Sequence, residues 1–409
     1  MSRFGWSVLS LALTISSAYG QSYKTLPKGV RFVAYRNVNT TKIDATYNQA
    51  QTVSPLSYEV NANAETLSSI GAAVQAYFTE LRAISPEAYD RMTFGQFQLE
   101  ASAQVTVHGF GAGYGVSDRL SLYGILPYSQ GRVDMKYRQL RGSNTQEVAD
   151  EIEQNGGGDV DSTLANITSA LPGATGNLLQ SVVVNTFGYR EIGNWEGAGY
   201  GDLELGGMYR LVDKGTWGLA LTSGVVAPTG REDDPDILQD IAFGDGQWDG
   251  FVEGALGVSI NDSFFIDTTT RYTYQAPSKK TLRVPTDPSF TLSDQKGRFD
   301  VKFGDRIDST LSMTYLLNDW ISVTPGYELN YQMSSKYDSV YGDANEILAT
   351  NSDRLGHVAR FSAKLSTITP YLKKQFLLPG FIQLNVQQTV AGKNVPKMGR
   401  VELELRLLF

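Results

Sequence analysis

The sequence predicts an all-β fold: a closed, antiparallel transmembrane β-barrel of the bacterial outer membrane, with about 12 strands. Three observations predict it: a strictly alternating last stretch, the same alternation upstream, and an export signal in a chain without cysteine. In the last stretch one strand face carries Val401, Leu403, Leu405, Leu407 and Phe409, and the other carries Arg400, Glu402, Glu404 and Arg406. A wall between lipid and a polar interior needs this alternation.

Residues 1–20 read as a signal peptide. Arg3 gives a positive start, residues 8–15 a short apolar run, and Ala18 to Gly20 a small-residue cleavage site before Gln21. The absence of cysteine excludes a lipoprotein anchor, a disulfide framework and a thiolate metal site. We therefore expect export to the periplasm, followed by insertion as a multi-pass barrel in the cell outer membrane.

Beyond residue 20 the chain has no apolar run of about 18 residues, so no transmembrane helix is predicted. A chain that crosses lipid without helices must close into a barrel, because an open sheet edge leaves unpaired backbone groups in hydrocarbon. The content of 41 Gly, 22 Tyr and 18 Phe is typical of such a wall. A formal net charge of -8 argues against a nucleic-acid partner.

Strands and turns can be paired along the chain. Short connections of turn-forming residues occur at Ser117-Asp118, 213–215, Asn261-Asp262 and Asn318-Asp319. Long polar segments occur at 139–199, 230–246, 277–300 and 335–353. This asymmetry predicts periplasmic turns and extracellular loops. Eleven strands follow residue 95, and 29–37 supplies the twelfth.

The predicted domain organisation is a signal peptide over 1–20, an N-terminal strand with a helical segment over 21–95, and the barrel over 96–409. An amphipathic helix is predicted near 65–82, from a stripe formed by Leu67, Ile70, Val74, Tyr77, Phe78 and Leu81. This helix could plug the lumen, cap one mouth or lie on the membrane. Two further short helices are expected within 147–181.

One strand breaks the alternation. Between 96 and 116 the apolar positions change from odd numbers, as in Val105 and Val107, to even numbers, as in Phe110 and Tyr114. A one-residue slip reverses the faces of a strand, so a bulge or break is predicted near His108.

The inward face is predicted to line the lumen, and through it a possible permeation path. A charge on the lipid face at mid-bilayer costs about 2–4 kcal/mol, and the charges fall almost wholly on one parity. The charged lumen-lining positions are Asp202, Glu204, Arg210, Glu253, Asp267, Arg271, Arg306, Asp308, Glu328, Arg360, Lys364, Glu402, Glu404 and Arg406. Such charges can line an ion path or neutralise one another in a filled interior. Both signs are present, so strong ion selectivity is not expected.

No motif in the chain indicates catalysis, a cofactor or a metal. The two histidines, His108 and His357, accompany no nucleophile motif. The alternating glycines from Gly109 to Gly115 open no helix and form no dinucleotide fingerprint. The acidic loop around Asp233 does not match the twelve-residue calcium loop. We expect no enzymatic activity.

Two successive stretches carry a family resemblance. Residues 201–211 read GDLELGGMYRL, and 218–230 end in Pro228-Thr-Gly230. This pattern resembles outer-membrane barrels of the putative meta-pathway of phenol degradation family (MetA-pathway phenol degradation). The resemblance is clear over about 195–275. It implies a barrel and a role in the uptake of aromatic or other apolar compounds. It implies no catalytic residue.

The function that these observations favour is passive uptake of small apolar or aromatic compounds by an outer-membrane channel. The alternative is a surface-exposed structural or adhesion barrel with a closed lumen, and an outer-membrane hydrolase ranks third. The expected partners are outer-membrane lipid and lipopolysaccharide. The outer-membrane assembly machinery is also expected, through the C-terminal strand that ends in Phe409.

Overall fold

The computed structural model describes residues 21–68, 72–154, 180, 182–286, 288 and 292–409. The strands are β1 Arg31–Thr40, β2 Ala45–Tyr47, β3 Val53–Pro55, β4 Ser57–Asn63, β5 Thr93–Ser117, β6 Leu120–Arg141, β7 Trp195–Tyr200, β8 Leu203–Asp213, β9 Trp217–Ala227, β10 Asp249–Asn261, β11 Phe264–Gln275, β12 Ser278–Arg283, β13 Lys296–Lys302, β14 Arg306–Leu316, β15 Ile321–Gln332, β16 Lys336–Asp338, β17 Arg354–Ser366, β18 Gly380–Lys393, β19 Val395–Pro396 and β20 Gly399–Leu408. The helices are α1 Ala64–Ser68, α2 Ala72–Ile84, α3 Pro86–Arg91, α4 Thr145–Gln154, α5 Gly342–Ala349 and α6 Ile368–Leu372, with a π-helical turn at Val182–Thr186.

Twelve strands close into one antiparallel barrel. Their order around the wall is β5, β1, β20, β18, β17, β15, β14, β11, β10, β9, β8 and β6, and β6 pairs back to β5. The first and last strands form one seam, with Phe32 opposite Leu408. The predicted twelve-stranded barrel is confirmed, and its predicted first strand, 29–37, is β1. No helix among the described residues is long and apolar enough to cross a membrane.

Alternation of the side chains puts apolar residues outside and charges inside. In β20, Val401, Leu403 and Leu405 are exposed on the outer surface, whereas Glu402 and Glu404 are buried. The same outward apolar pattern holds on the neighbouring strand β18. A polar interior inside an apolar outer surface reverses the arrangement of a water-soluble protein and suits a wall in contact with lipid.

The predicted bulge near His108 is absent. The β5–β6 register runs without interruption from Phe97 to Gly115. What changes along β5 is its surroundings. The outward side chains are polar up to His108 and apolar from Phe110 onward, which marks the passage from water to lipid. On the inner side, Val105 packs in an apolar cluster in the upper part of the barrel. The same side of β5 therefore points outward along its whole length, and only the surroundings of that side change, from water to lipid.

The segment α1–α3 packs at the long-loop end of the tall β5–β6 hairpin. Phe78 and Leu81 of α2 are buried in a cluster with Phe94 and Phe97 of β5 and with Val148 of α4. The structure therefore places the helix predicted near 65–82 as a cap on this hairpin. Of its predicted stripe, Ile70 lies outside the described residues, as does most of 147–181 beyond α4.

Residues 21–30 cross the barrel interior at the short-turn end. Tyr23 is fully buried in a cluster with Met208, Ala220 and Ala255 from three strands of the wall. Nearby, Ile368 of α6 also packs inside the barrel. By the asymmetry of outer-membrane barrels, this end faces the periplasm. The chain thus covers its own periplasmic mouth, which no periodic pattern predicts.

Candidate functional site

The N-terminal segment, residues 21–30, lies across the periplasmic part of the lumen. The Gln21 amide donates to Ser259 Oγ at 2.5 Å, and the Ser22 backbone N–H donates to Asp267 Oδ1 at 2.6 Å. Further along, the Leu26 N–H donates to Ser121 Oγ at 2.8 Å. These bonds tie the segment to three strands of the wall, β10, β11 and β6. The segment lies inside the barrel and forms none of its twelve strands.

Above this segment, one side of the lumen carries a buried ion pair. Arg271 donates to both oxygens of Glu204, at 2.9 and 3.3 Å, and Tyr123 Oη donates to Glu204 Oε1 at 2.8 Å. The guanidinium of Arg271 also lies 3.6 Å from the centre of the Phe251 ring. Two donors and an aromatic face therefore compensate for the burial of both charges.

The opposite side carries a longer network, at the seam between the first and last strands. Glu404 accepts from Arg36 and from Arg406, each at 2.6 Å. Its neighbour Glu402 accepts from the Gln387 amide at 3.0 Å. Arg36 is the member of this network that the sequence analysis missed, although it lies on the inward parity of β1 with Phe32. The inward position of Arg36 could have been read from the alternation of apolar and polar residues in β1.

Higher in the lumen, the charges lie at the floor of a cavity. Glu328 pairs with Arg360 at 2.8 Å and lies 3.9 Å from Arg400. Asn330 donates to Glu328 and to Asp308, each at 2.9 Å. The floor is therefore a hydrogen-bonded layer across the β14, β15 and β17 side of the barrel.

The cavity above this layer has a volume of about 210 Å³. Its roof is the loop 228–248, which folds into the barrel because Ile241 and Phe243 pack against Val105 and other wall residues. Within the loop, Arg231 holds Asp240 through two hydrogen bonds of 2.9 and 2.6 Å. Most of the remaining lining comes from the upper ends of the strands, and apolar side chains alternate there with amides and arginines.

Asp245, near the end of this loop, lines the cavity. Its carboxylate accepts from the Gln247 N–H at 3.2 Å and from the Gln275 amide at 3.2 Å. Burial, together with repulsion from the carboxylates of Asp249 and Asp202, raises the pKa of Asp245 from 3.8 to about 7. The roof of the cavity therefore contains a group that changes charge near neutral pH.

The charged positions predicted to line the lumen fall into three groups. Arg306, Asp308 and Glu328 line the cavity. Arg210 lies at the periplasmic rim, where it pairs with Asp213 at 2.8 Å. The remaining positions lie between these levels or beside the roof loop: Asp202, Glu204, Glu253, Asp267, Arg271, Arg360, Lys364, Glu402, Glu404 and Arg406. Their part in permeation stays a prediction.

Several cavity residues were not singled out from the sequence. Arg354 and Arg400 lie on the inward parity at strand ends, so their positions could have been read from alternation. Asp245, Ile241 and Phe243 come from a loop, where no period marks which side chains turn inward. Among the described residues there is no group of three or more metal-ligating side chains placed to hold an ion.

Both histidines lie on the outer parity of the wall, next to a tyrosine. His108 is 2.8 Å from Tyr35 Oη, and His357 is hydrogen-bonded to Tyr327. Tyrosine and histidine at this level suit an interfacial belt between lipid and water.

The closed barrel, its apolar outer surface and its polar lumen define an outer-membrane β-barrel. Its fold is similar to that of the COG4313 outer membrane channel from Pseudomonas putida F1, with 15% identity, coverage of 95% of this chain and 98% of that chain, and a TM-score of 0.52. The expected resemblance to a barrel family is confirmed at the level of the fold.

Two other solved structures are more distant. The Ralstonia pickettii toluene transporter TbuX has 8% identity, coverage of 97% of this chain and 92% of that chain, and a TM-score of 0.36. A Pseudomonas aeruginosa FadL homologue has 8% identity, coverage of 96% and 93%, and a TM-score of 0.34. No family model and no curated protein matches the sequence.

Proposed function

We propose that the protein is an outer-membrane channel for passive uptake of small apolar or aromatic compounds. The observation that carries the proposal is the cavity of about 210 Å³ inside the barrel, on the extracellular side of the charged layer. Its lining combines apolar surface with amides, carboxylates and arginines, and small-molecule sites likewise join apolar surface to placed polar groups. A barrel with only a structural role has no need of such a cavity.

The contacts of the N-terminal segment support a gated path. Residues 21–28 lie across the periplasmic end and are held by hydrogen bonds to the wall, by the Lys24–Asp213 pair and by two buried side chains, Tyr23 and Leu26. The segment belongs to no strand of the wall, so it can move without breaking the barrel. We propose that its displacement connects the cavity to the periplasm, and that the inward charged residues line the path that is then exposed.

A structural or adhesion barrel is the second candidate. The ion pairs at Glu204, Glu328 and Glu404 fill the lower lumen, as a permanently closed barrel would require. The cavity counts against this candidate. We propose no enzymatic activity, because neither histidine has a hydrolytic partner in its contacts; each bonds to tyrosine.

Uptake of an apolar fluorescent dye by intact cells tests the proposal. Lipopolysaccharide excludes such dyes, so cells that express the protein are expected to take up N-phenylnaphthylamine faster than cells without it. Ser129 is buried and lines the cavity, whereas the next residue, Gln130, points outward and is exposed. Ser129→Trp should therefore reduce uptake, and Gln130→Trp should not. Equal uptake with and without the protein contradicts the channel and favours the structural barrel.

We propose that the barrel contacts lipopolysaccharide through the upper part of its outer wall, where the aromatic belt meets polar residues. We also propose that the last strand is recognised by the assembly machinery. Phe409 is exposed on the outer surface and its carbonyl accepts from the Arg31 N–H at 2.8 Å. Phe409→Ala is expected to lower the amount of folded barrel in the outer membrane, measured by heat-modifiable migration in gels.

A further inference from the structure

Two arginines and a glutamine form a row along the upper cavity wall. Arg306 of β14 lies opposite Gln332 of β15, and Gln332 lies opposite Arg354 of β17. All three side chains line the cavity. The two guanidinium charges interact unfavourably with each other. A folded chain that places two like charges in one small cavity invites a group of opposite charge between them.

Arg306 differs from the other arginines of the lumen. Arg271, Arg360 and Arg406 each have a carboxylate oxygen within 2.9 Å. The Nε of Arg306, by contrast, is buried without a hydrogen-bond partner in the described ranges of the chain. One oxygen of Asp308, the next inward residue on the same strand, is also buried without a partner there. Unsatisfied buried groups are costly, so a donor and an acceptor of this kind point to a ligand.

No described carboxylate forms an ion pair with Arg306, although Asp245 and Asp249 attract its charge over a longer distance. Glu328 is paired with Arg360 at 2.8 Å and lies close to Arg400, so its charge is already balanced. Asp245 faces the cavity from the roof, and its pKa of about 7 leaves it partly uncharged near neutrality. Asp308 is the remaining carboxylate. The guanidinium of Arg306 therefore lines the cavity without a bonded counter-charge among the described residues.

Size and lining describe the rest of the ligand. An apolar cavity of about 150 Å³ holds benzene, so 210 Å³ accommodates one ring with a small substituent. Ile241 and Phe243 of the roof, with Val358 and Val395 of the wall, offer an apolar surface to such a ring. A guanidinium matches the two oxygens of a carboxylate in a bidentate arrangement.

We propose that the upper cavity is a binding site for a small aromatic carboxylate, whose carboxylate lies between Arg306 and Arg354 and whose ring lies under the roof loop. The unpartnered Asp308 oxygen would accept a hydrogen bond from a hydroxyl on the ring. This inference rests on the proposed uptake function, because it names a class of compound for the same cavity.

Calorimetric titration of the purified full-length barrel with benzoate tests the site. Benzamide is the matched probe, since it keeps the ring and the shape and lacks the charge. Benzoate is expected to bind at least about tenfold more tightly than benzamide, as one charge-assisted bond to an arginine inside the cavity provides. Arg306→Gln should bring benzoate binding down to about the level of benzamide binding, because the glutamine amide can still donate a hydrogen bond but carries no charge. Arg354→Gln should have the same effect.

Arg132→Gln is the control, because Arg132 is exposed on the outer face and pairs with Asp134. It should leave both affinities unchanged. Heat-modifiable migration in gels verifies that each variant is folded. Equal affinity for benzoate and benzamide in a folded wild-type barrel would overturn the proposal, as would unchanged benzoate binding in folded Arg306→Gln. The dye-uptake experiment is independent of this titration. A barrel that binds benzoate but takes up no dye would have the binding site without the transport role.

Discussion

Arg271 and Glu204 show how charges are tolerated inside the barrel. Arg271 is almost fully buried, and its carboxylate partner also accepts from Tyr123. Burial of both charges is compensated only while both partners are present. We therefore expect the pair to contribute little to net stability, although the loss of one partner alone would be costly.

Arg271→Gln is expected to destabilise the barrel by about 3–5 kcal/mol, because it leaves the Glu204 carboxylate buried without its cation. The double variant Arg271→Gln, Glu204→Gln should recover most of this loss, since no charge is then left unpaired. Chemical unfolding in lipid vesicles, followed by tryptophan fluorescence, measures both changes. A double variant as unstable as the single one would show that the pair acts through packing and not through charge.

Asp245 should make stability depend on pH. Its pKa is about 7 in the folded protein and about 3.8 in the unfolded chain, so the folded state holds the proton more tightly. The resulting stabilisation is fully present below pH 3.8 and is lost as pH rises to about 7. Asp245→Asn removes this titration.

The difference in melting temperature between Asp245→Asn and the wild type should therefore grow in favour of the variant between pH 4 and pH 8, and then level off. Thermal unfolding at a series of pH values measures it. The neighbouring Asp240 is held by Arg231 and serves as the comparison, since Asp240→Asn breaks an ion pair and should destabilise the loop. A pH-independent difference at position 245 would contradict the assignment.

At the scale of elements, the strands of the barrel wall could be predicted from the sequence. The positions of the two segments inside the barrel, residues 21–30 and 228–248, could not. Alternation revealed the strands, because each wall residue must face either lipid or lumen. The error at His108 came from reading a change of polarity as a change of face. A change in the parity of apolar residues indicates a bulge only where the strand stays in one environment, and β5 passes from water to lipid at this point.

The interior segments escaped prediction for a different reason. Residues 21–30 and the loop 228–248 are held by isolated apolar side chains, such as Tyr23, Ile241 and Phe243, that pack against the inner face of the wall. A single aromatic residue in a polar segment carries no periodic signal. The cavity lies between these two segments and could not be predicted from the sequence, although its three lining arginines, Arg306, Arg354 and Arg400, all lie on the inward parity of their strands.

Glycines in the wall make room for the N-terminal segment. A Cβ at Gly218 would overlap the Tyr23 ring, whereas a Cβ at Gly254 would meet open space. Gly218→Val should displace the segment and produce larger or more frequent conductance steps in planar lipid bilayers. Gly254→Val should behave as the wild type. Identical traces from both variants would mean that the segment does not limit conduction.

At the scale of the whole molecule, the helical cap and the periplasmic closure lie at opposite ends. The cap packs on the long-loop end of β5 and β6, and the N-terminal segment closes the short-turn end. Deletion of residues 65–82 is therefore expected to leave single-channel conductance unchanged and to expose the apolar tip of the hairpin, measured as increased proteolysis of cells at their surface. Conductance that rises on this deletion would assign the plug to the helix instead.

The seam between β1 and β20 has a consequence for how the chain folds. Phe32 meets Leu408 across it, and Arg36 bonds to Glu404 over 368 residues of sequence. No part of this seam can form until the last strand has been synthesised and exported, so every earlier intermediate carries two open sheet edges. Because the inner charges of the seam find their partners only at closure, an unfinished barrel leaves Arg36 in a polar, water-filled interior. Closure of the barrel is thus the final step of folding, and it is the step at which Arg36 loses its contact with water and pairs with Glu404.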